Sequence, residues 1–140
     1  MAAKPPTTDQ LKETAREYLQ IIDSGRFDEL EAILSERIVY RTIGPSIVGP
    51  SKLIQYYKDT RVAGHGSHQV TGIIAEANQV VVLLRMKAEM RDGTKMEFDA
   101  VDLFTFEGGR VVGVRTYSDL PPAVPRQAFA SSRESPSSAT

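Results

Sequence analysis

The chain has 140 residues, which is enough for one domain with a real core but not for two. Hydrophobic residues make up 41% and charged residues 25%, values typical of a soluble globular protein, and a net charge of −1 without a long basic run gives no support for nucleic-acid binding. The sequence has no cysteine and only 2 histidines, which excludes disulfides and a cysteine nucleophile and argues against a histidine-rich metal site.

Three helices are predicted in the first half of the chain. Thr7 and Gln10 have the spacing of a capping box, and Gly25 is a typical left-handed residue after a helix. The apolar face between them consists of Leu11, Ala15, Tyr18, Leu19 and Ile22. A second, short helix places Phe27, Leu30, Ile33 and Leu34 inward. Pro50 suits the first turn of a third helix, whose apolar positions are Leu53, Ile54 and Tyr57.

Strands are predicted for most of the remaining chain. The first covers residues 38–42, and loops follow at 44–49 and 64–66. Four longer strands are expected at about 68–76, 80–91, 95–106 and 110–118, with hairpin turns at Asp92-Gly93 and Gly108-Gly109. Helices followed by a meander of strands predict an α+β fold, with the helices packed on a curved, mainly antiparallel sheet.

The domain is expected to span residues 8–120, between a mobile arm at 1–7 and a Pro/Ser-rich tail at 121–140. The first ten residues lack the apolar core of a signal peptide, and no apolar run approaches the length of a membrane span. We therefore expect no membrane association, and the absence of cysteine is compatible with a cytoplasmic location.

Asp102 is the anomaly of the strand pattern. It falls in the same alternating set as Phe98, Ala100 and Phe104, where the core is expected. A carboxylate on an apolar face is costly unless it is paired, hydrogen-bonded or protonated. The alternative is a small bulge that turns Asp102 out to water.

Two stretches carry a family resemblance. The order of the elements resembles the nuclear transport factor 2-like superfamily, and AREYLQIIDSGRFDEL is similar to the first-helix signature of its ketosteroid isomerase and SnoaL-like cyclase branches. DAVDLFTFEGGRVVGVRTYSDL is similar to their last hairpin and to that of limonene epoxide hydrolases. The resemblance implies a cone-shaped α+β barrel, with three N-terminal helices and a curved sheet around an apolar pocket, and a homodimer.

The resemblance carries over to some functional positions and not to others. Tyr18 lies where the isomerases carry an oxyanion-hole tyrosine, and Asp102 lies where they carry a second acid. Their general base would fall near Thr42, which cannot be a base. Tyr40 and Thr42 resemble the residue pair that holds the attacking water in the epoxide hydrolases. The catalytic carboxylates of that family would fall near Arg85 and Thr116, which carry no carboxylate.

The resemblance also implies which residues share the pocket. Its polar members would be Tyr18, Tyr40, Thr42, His68, Arg85, Asp102, Thr116 and Ser118. Its apolar wall would consist of Leu83, Phe98, Ala100 and Val114. An apolar pocket with a few convergent polar groups is the usual form of a small-molecule site.

Several of these residues have a second interpretation. Tyr18 and Tyr40 fit core packing as well as a pocket. His68, which follows a glycine loop, fits a surface position. Arg85 alternates with Lys87 and Glu89, as on a solvated outer face.

The function expected from this set is acid/base chemistry on an apolar small molecule, most simply by an isomerase or cyclase that needs no cofactor or metal. In one version Asp102 is ionised beside His68 or Arg85 and moves a proton itself. In the other, protonated Asp102 and Tyr18 bind an enolate oxygen while neutral His68 is the base. The alternatives are an epoxide hydrolase or dehydratase of the same fold, and a non-catalytic binding domain.

Overall fold

A computed structural model describes residues 4–42, 44–60 and 63–119 as helices packed on one curved, six-stranded sheet. The predicted α+β class is therefore confirmed, with an open sheet rather than a closed barrel. The predicted tail at 121–140 and the first three residues of the predicted arm lie outside the described residues.

Helix α1 spans Thr8–Ser24, as its capping signals predict. The Thr7 hydroxyl oxygen accepts a hydrogen bond from the Gln10 backbone N–H at 3.1 Å, and the Thr7 N–H donates to Gln10 Oε1 at 2.9 Å. Gly25 ends the helix at φ 71°, the left-handed conformation in which glycine has no Cβ penalty. These caps fix both ends of the helix that contributes most to the site.

The other helical segments are short. A 3-10 helix covers Phe27–Ala32, and helix α2 covers Pro50–Gln55 and continues into a π-helical turn at Tyr56–Thr60. Pro50 starts α2, as predicted. Leu34, which was expected in the second helix, instead begins the first strand.

The sheet has the order β2-β1-β6-β5-β4-β3, and only the β1–β6 pair is parallel among these five pairings. Its strands are β1 Leu34–Arg41, β2 Ile47–Val48, β3 Ala63–Glu76, β4 Gln79–Met90, β5 Lys95–Glu107 and β6 Arg110–Asp119.

Two predicted loops contain strand. The loop at 44–49 includes the short strand β2, and the loop at 64–66 is the beginning of β3. Residues 64–66 pair with β4 despite their two glycines. The backbones are so close at Gly66 that an added Cβ would overlap the Lys87 carbonyl oxygen. Glycine at this position therefore permits a close strand pair instead of marking a loop.

Strand β5 keeps a strict alternation through Asp102. Phe98, Ala100, Asp102 and Phe104 are all buried on the inner face. The register of β5 against β6 does shift, but between Thr105 and Phe106, after Asp102. The alternative of a bulge that exposes Asp102 is therefore wrong.

Candidate active site

A cavity of about 100 Å³ lies between α1, the π-helical turn and the inner face of the sheet. Its polar lining consists of Tyr18, Tyr40, Thr42, Tyr56, Tyr57, His68, Asp102, Thr116 and Ser118. Its apolar lining consists of Leu19, Ile22, Met86, Ala88, Met90, Met96, Phe98 and Ala100. Polar groups from helix and strand thus converge on one small apolar space.

Two tyrosines form a hydrogen-bonded pair in this cavity. The hydroxyl oxygens of Tyr18 and Tyr57 are 2.7 Å apart, and both side chains are buried. Burial raises the pKa of each hydroxyl well above its usual value, so both remain protonated at neutral pH. When Tyr57 is the donor in this pair, the hydroxyl proton of Tyr18 is directed to an acceptor in the cavity.

Asp102 is only 5% exposed and is hydrogen-bonded to strand β6. The Thr116 hydroxyl donates to its Oδ1 at 2.7 Å. Burial is the largest influence and raises the pKa of the Asp102 carboxyl, whereas the Thr116 hydrogen bond and the nearby His68 lower it to a smaller extent. The balance favours the protonated acid relative to a free aspartate.

His68 is held by Asp23, from the last turn of α1. The His68 backbone N–H donates to Asp23 Oδ2 at 2.9 Å, and His68 Nδ1 lies 2.5 Å from Asp23 Oδ1. The two side chains are 12% and 26% exposed. Because Asp23 only accepts when ionised, we assign the proton of neutral His68 to Nδ1, which leaves the Nε2 lone pair as a proton acceptor.

Three predicted pocket residues do not line the cavity. Leu83 is 37% exposed and lies on the outer face of β4. Arg85 shares that face, 3.1 Å from Asp99 and 3.5 Å from Glu97. Both placements were wrong because inward positions of β4 are the even-numbered ones, from Val80 to Met90. Val114 is buried in the core cluster instead of at the cavity wall.

The sequence interpretation missed Asp23, Tyr56 and three methionines, and took Tyr57 only as packing. Helical spacing was the available signal for Asp23, which lies four residues after the buried Leu19 and therefore on the same side of α1. Met86 and Met90 follow the inward alternation of β4, and Met96 that of β5. Strand alternation could therefore have identified the methionines.

Neither a metal cluster nor a membrane helix is found in the described parts of the chain. Across 4–42, 44–60 and 63–119, no three His, Asp or Glu side chains are grouped so that they could hold a metal ion. Over the same ranges, no helix is long and apolar enough to cross a membrane.

The family comparison agrees with this architecture. The SnoaL-like domain family matches residues 15–114, and the chain belongs to that family. No curated protein sequence matches the chain significantly.

Solved structures with the same fold come from several branches. A candidate SnoaL-like polyketide cyclase from Jannaschia sp. CCS1 has a TM-score of 0.72 at 17% identity, over 85% of this chain and 92% of that one. An epoxide hydrolase of the LEH-like type from M. tuberculosis has a TM-score of 0.71 at 20% identity, over 81% and 86%. A Catenulispora acidiphila protein with a ketosteroid isomerase-like fold, in complex with trimethylamine, has 0.70 at 11% identity, over 87% and 97%. At these identities the similarity shows the fold alone.

Proposed function

We propose that this protein is an acid/base enzyme that moves a proton on an apolar carbonyl compound, as an isomerase or cyclase, using its own side chains. The observation that supports this most is the Asp23–His68 pair, which places an oriented imidazole at the same cavity as the buried acid Asp102. One residue set then offers both a base and an acid.

His68 is the proposed general base. By the family resemblance, the isomerases' base would fall near Thr42, whose hydroxyl is too weak a base for that step, so another group is needed. Asp23 fixes the imidazole tautomer and would stabilise the imidazolium that forms, the role of the carboxylate in a catalytic triad. A positioned base of this kind typically contributes about 10²- to 10⁴-fold in rate.

Tyr18 and Asp102 are the proposed donors to the substrate oxygen. Both are buried, and burial favours the protonated form of each. As Thr116 already donates to Oδ1 of Asp102, a proton on Oδ2 would be free to reach an enolate oxygen. Tyr57 would support Tyr18 through their shared hydrogen bond. Preorganised donors of this kind commonly contribute about 3–4 kcal/mol each.

The cavity walls favour a compact, apolar substrate. Drug-sized ligands usually occupy about 300–1,000 Å³, whereas this cavity measures about 100 Å³. Met86, Met90 and Met96 line it, and unbranched methionine side chains adapt readily to a ligand. Polyketide, steroid or terpenoid fragments of about one ring fit the cavity itself, since a space of about 150 Å³ holds one benzene, and a second ring would extend to its mouth.

The direct test is hydrogen–deuterium exchange at the α-carbon of 2-tetralone in D₂O, followed by NMR. We expect the wild type to accelerate exchange and His68→Gln to lose about 10²-fold or more of that acceleration. Arg85→Gln, on the outer face, is the matched control and should exchange at the wild-type rate. Probe binding without accelerated exchange would support the non-catalytic alternative.

Dehydration is the second candidate, because the base and the acids come from different elements. His68 lies on β3, whereas Tyr18 and Tyr57 lie on α1 and the π-helical turn. A substrate between them could lose a proton to His68 and a protonated hydroxyl as water. Conversion of a β-hydroxyketone to the enone, without prior exchange of its α-proton, would favour this reaction. Epoxide hydrolysis has less support, because Arg85 lies outside the cavity and Thr116 supplies no carboxylate.

We also propose that the outer sheet face joins two copies of the chain. Exposed Ile74, Leu83 and Tyr117 form an apolar strip there, beside charges of both signs such as Arg85 and Asp99. A surface that carries both signs can pair with itself about a two-fold axis. Sedimentation of the wild type and of Leu83→Lys tests this: a wild-type monomer would refute it.

A further inference from the structure

The methionines of this chain are concentrated in one place. The sequence has 4 of them, and apart from Met1, which lies outside the described residues, all line the cavity. Met86 and Met90 occupy inward positions near the end of β4, and Met96 occupies one near the start of β5. A thioether is a soft ligand of the kind that favours Cu(I). Because the chain has no cysteine, its thioethers are its only sulfur ligands.

The pairing of β3, β4 and β5 brings two of these thioethers next to His68. His68 lies directly opposite Met86, and residues paired in this way share one face of the sheet with Cβ atoms about 4.5–5.5 Å apart. Met96 lies opposite Ala88, the next inward residue of β4, so Met96 and Met86 are diagonal neighbours at about 7–8 Å. One imidazole and two thioethers therefore come together at the cavity from three adjacent strands.

His68 has the surroundings of a metal-binding histidine. Metal-bound imidazoles usually donate their second ring N–H to a carboxylate, which fixes the tautomer and makes the other nitrogen a better ligand. Asp23 supplies such a carboxylate, since its Oδ1 lies 2.5 Å from Nδ1 of His68. The lone pair of Nε2 is then left for the cavity that the thioethers line. One nitrogen and two sulfurs form a three-coordinate set that suits a soft monovalent ion.

The same corner of the cavity is accessible from solvent. Ala88 and Met96 also line an open groove of about 660 Å³ at this end of the sheet. Met86 and Met96 are half-buried, and the side chain of His68 is 12% exposed. Unbranched methionine side chains turn readily, so both thioethers can approach an ion without a movement of the strands. An ion that enters from the groove would meet Met96 first and the imidazole last.

We propose that His68, Met86 and Met96 bind one soft monovalent metal ion, Cu(I), in this corner of the cavity. The proposed binding does not depend on the proposed function, because it needs only the three ligands. It does have a consequence for that function. The ion and the substrate proton compete for the same lone pair on Nε2, so the bound ion is an inhibitor and not a cofactor.

The test uses Ag(I), which has the charge and softness of Cu(I) and keeps its oxidation state, in a buffer without chloride. The titration is followed by NMR of protein labelled with ¹³C at the methionine methyl groups. We expect one Ag(I) per chain to shift the methyl signals of Met86 and Met96. Asp23→Asn should weaken this binding by about 10- to 100-fold, because it removes the carboxylate behind the imidazole.

Two leucine variants distinguish this site from general binding to sulfur. Met86→Leu/Met96→Leu nearly conserves volume, which cores usually tolerate, and should lower the affinity for Ag(I) by about 100-fold or more, since ligands matter at least as much as the groups behind them. Met90→Leu is the matched control. Met90 lines the same cavity but lies four residues from Met86, about 13 Å along the strand. This variant should bind Ag(I) as the wild type does.

Three results would overturn the inference. The first is a wild type in which Ag(I) leaves the methyl signals of Met86 and Met96 unchanged, and this result requires no variant to fold. The second is unchanged affinity in Met86→Leu/Met96→Leu, and the third is an equal loss of affinity in Met90→Leu. Exchange of 2-tetralone in metal-free buffer tests the proposed function separately, so either proposal can fail while the other stands.

Discussion

The two faces of strand β5 carry the same acid in opposite circumstances. Asp99 points outward with its side chain 71% exposed and lies 3.1 Å from Arg85. Asp102, three residues later, points inward, is 5% exposed and accepts a hydrogen bond from Thr116 at 2.7 Å. Water and the Arg85 guanidinium stabilise the charge of Asp99. Burial destabilises a charge on Asp102 and therefore favours its protonated form. The face of the strand, more than the residue type, decides what an aspartate does here.

The comparison is tested most strongly by changing both acids to the amide. Asp102→Asn should lower 2-tetralone exchange by about 10²-fold, because it removes an acidic donor from the cavity. Asp99→Asn should leave the exchange rate unchanged. Equal losses in the two variants would mean that the inner face has no special chemistry. Urea unfolding serves as the control and should show little loss of stability in either variant.

Loss of the hydrogen bond from Thr116 to Asp102 should give the next largest effect, on the stability of the fold. Thr116→Val leaves Asp102 Oδ1 without its donor and should lower the free energy of unfolding by about 1–3 kcal/mol. Thr116→Ser restores the hydroxyl and should recover most of the loss. Thr105→Val is the matched change at a half-buried position on the outer face of β5, and it should lower the free energy of unfolding by less than about 0.5 kcal/mol. Denaturant unfolding measures all three.

The pH dependence of stability follows from the burial of Asp102. Its pKa is raised in the folded protein, so the folded state binds this proton more tightly than the unfolded state does. The resulting stabilisation is fully present below the unfolded pKa of about 3.9 and is lost as pH rises through the folded pKa. Asp102→Asn lacks this loss, so its unfolding free energy should rise relative to the wild type as pH increases above about 4. If the unfolding free energy of Asp102→Asn fell relative to the wild type over this pH range, the ionised carboxylate of Asp102 would be stabilising instead.

The outer face should show the smallest effect. Arg85 is 40% exposed and its partners are more exposed still. Arg85→Gln should therefore change the free energy of unfolding by no more than about 1 kcal/mol, and by less in high salt. A loss that matched Thr116→Val would show that the outer pairs are not simple surface pairs. Urea unfolding at low and high salt provides the measurement.

Local patterns were sufficient to predict most of the fold. The Thr7–Gln10 capping box and Gly25 defined α1, and the glycine turns at 93 and 108–109 separated the last three strands. Alternation identified Asp102 as an inward acid. Gly66 was misread, because a glycine that permits close strand pairing has the same local signature as one in a loop.

The site was predictable only in part, since its parts meet through tertiary contacts. Asp23 and His68 are 45 residues apart, and no local pattern connects them. Tyr18 and Tyr57 are 39 residues apart and likewise meet only in the folded chain. The misplacement of Leu83 and Arg85 has a simpler cause: a one-residue error in strand alternation exchanges the inner and outer faces.

The place of Asp23 at the end of α1 has opposing effects on stability. The carbonyl end of a helix carries partial negative charge, and a carboxylate in the last turn typically costs about 0.3–1 kcal/mol. The same carboxylate accepts a hydrogen bond from the His68 backbone N–H and lies 2.5 Å from its imidazole, and a hydrogen bond to a charged group typically contributes about 1.5–3 kcal/mol. The contacts with His68 therefore outweigh the unfavourable helix end. A screen for thermostability would thus retain Asp23, and the proposed chemistry with it.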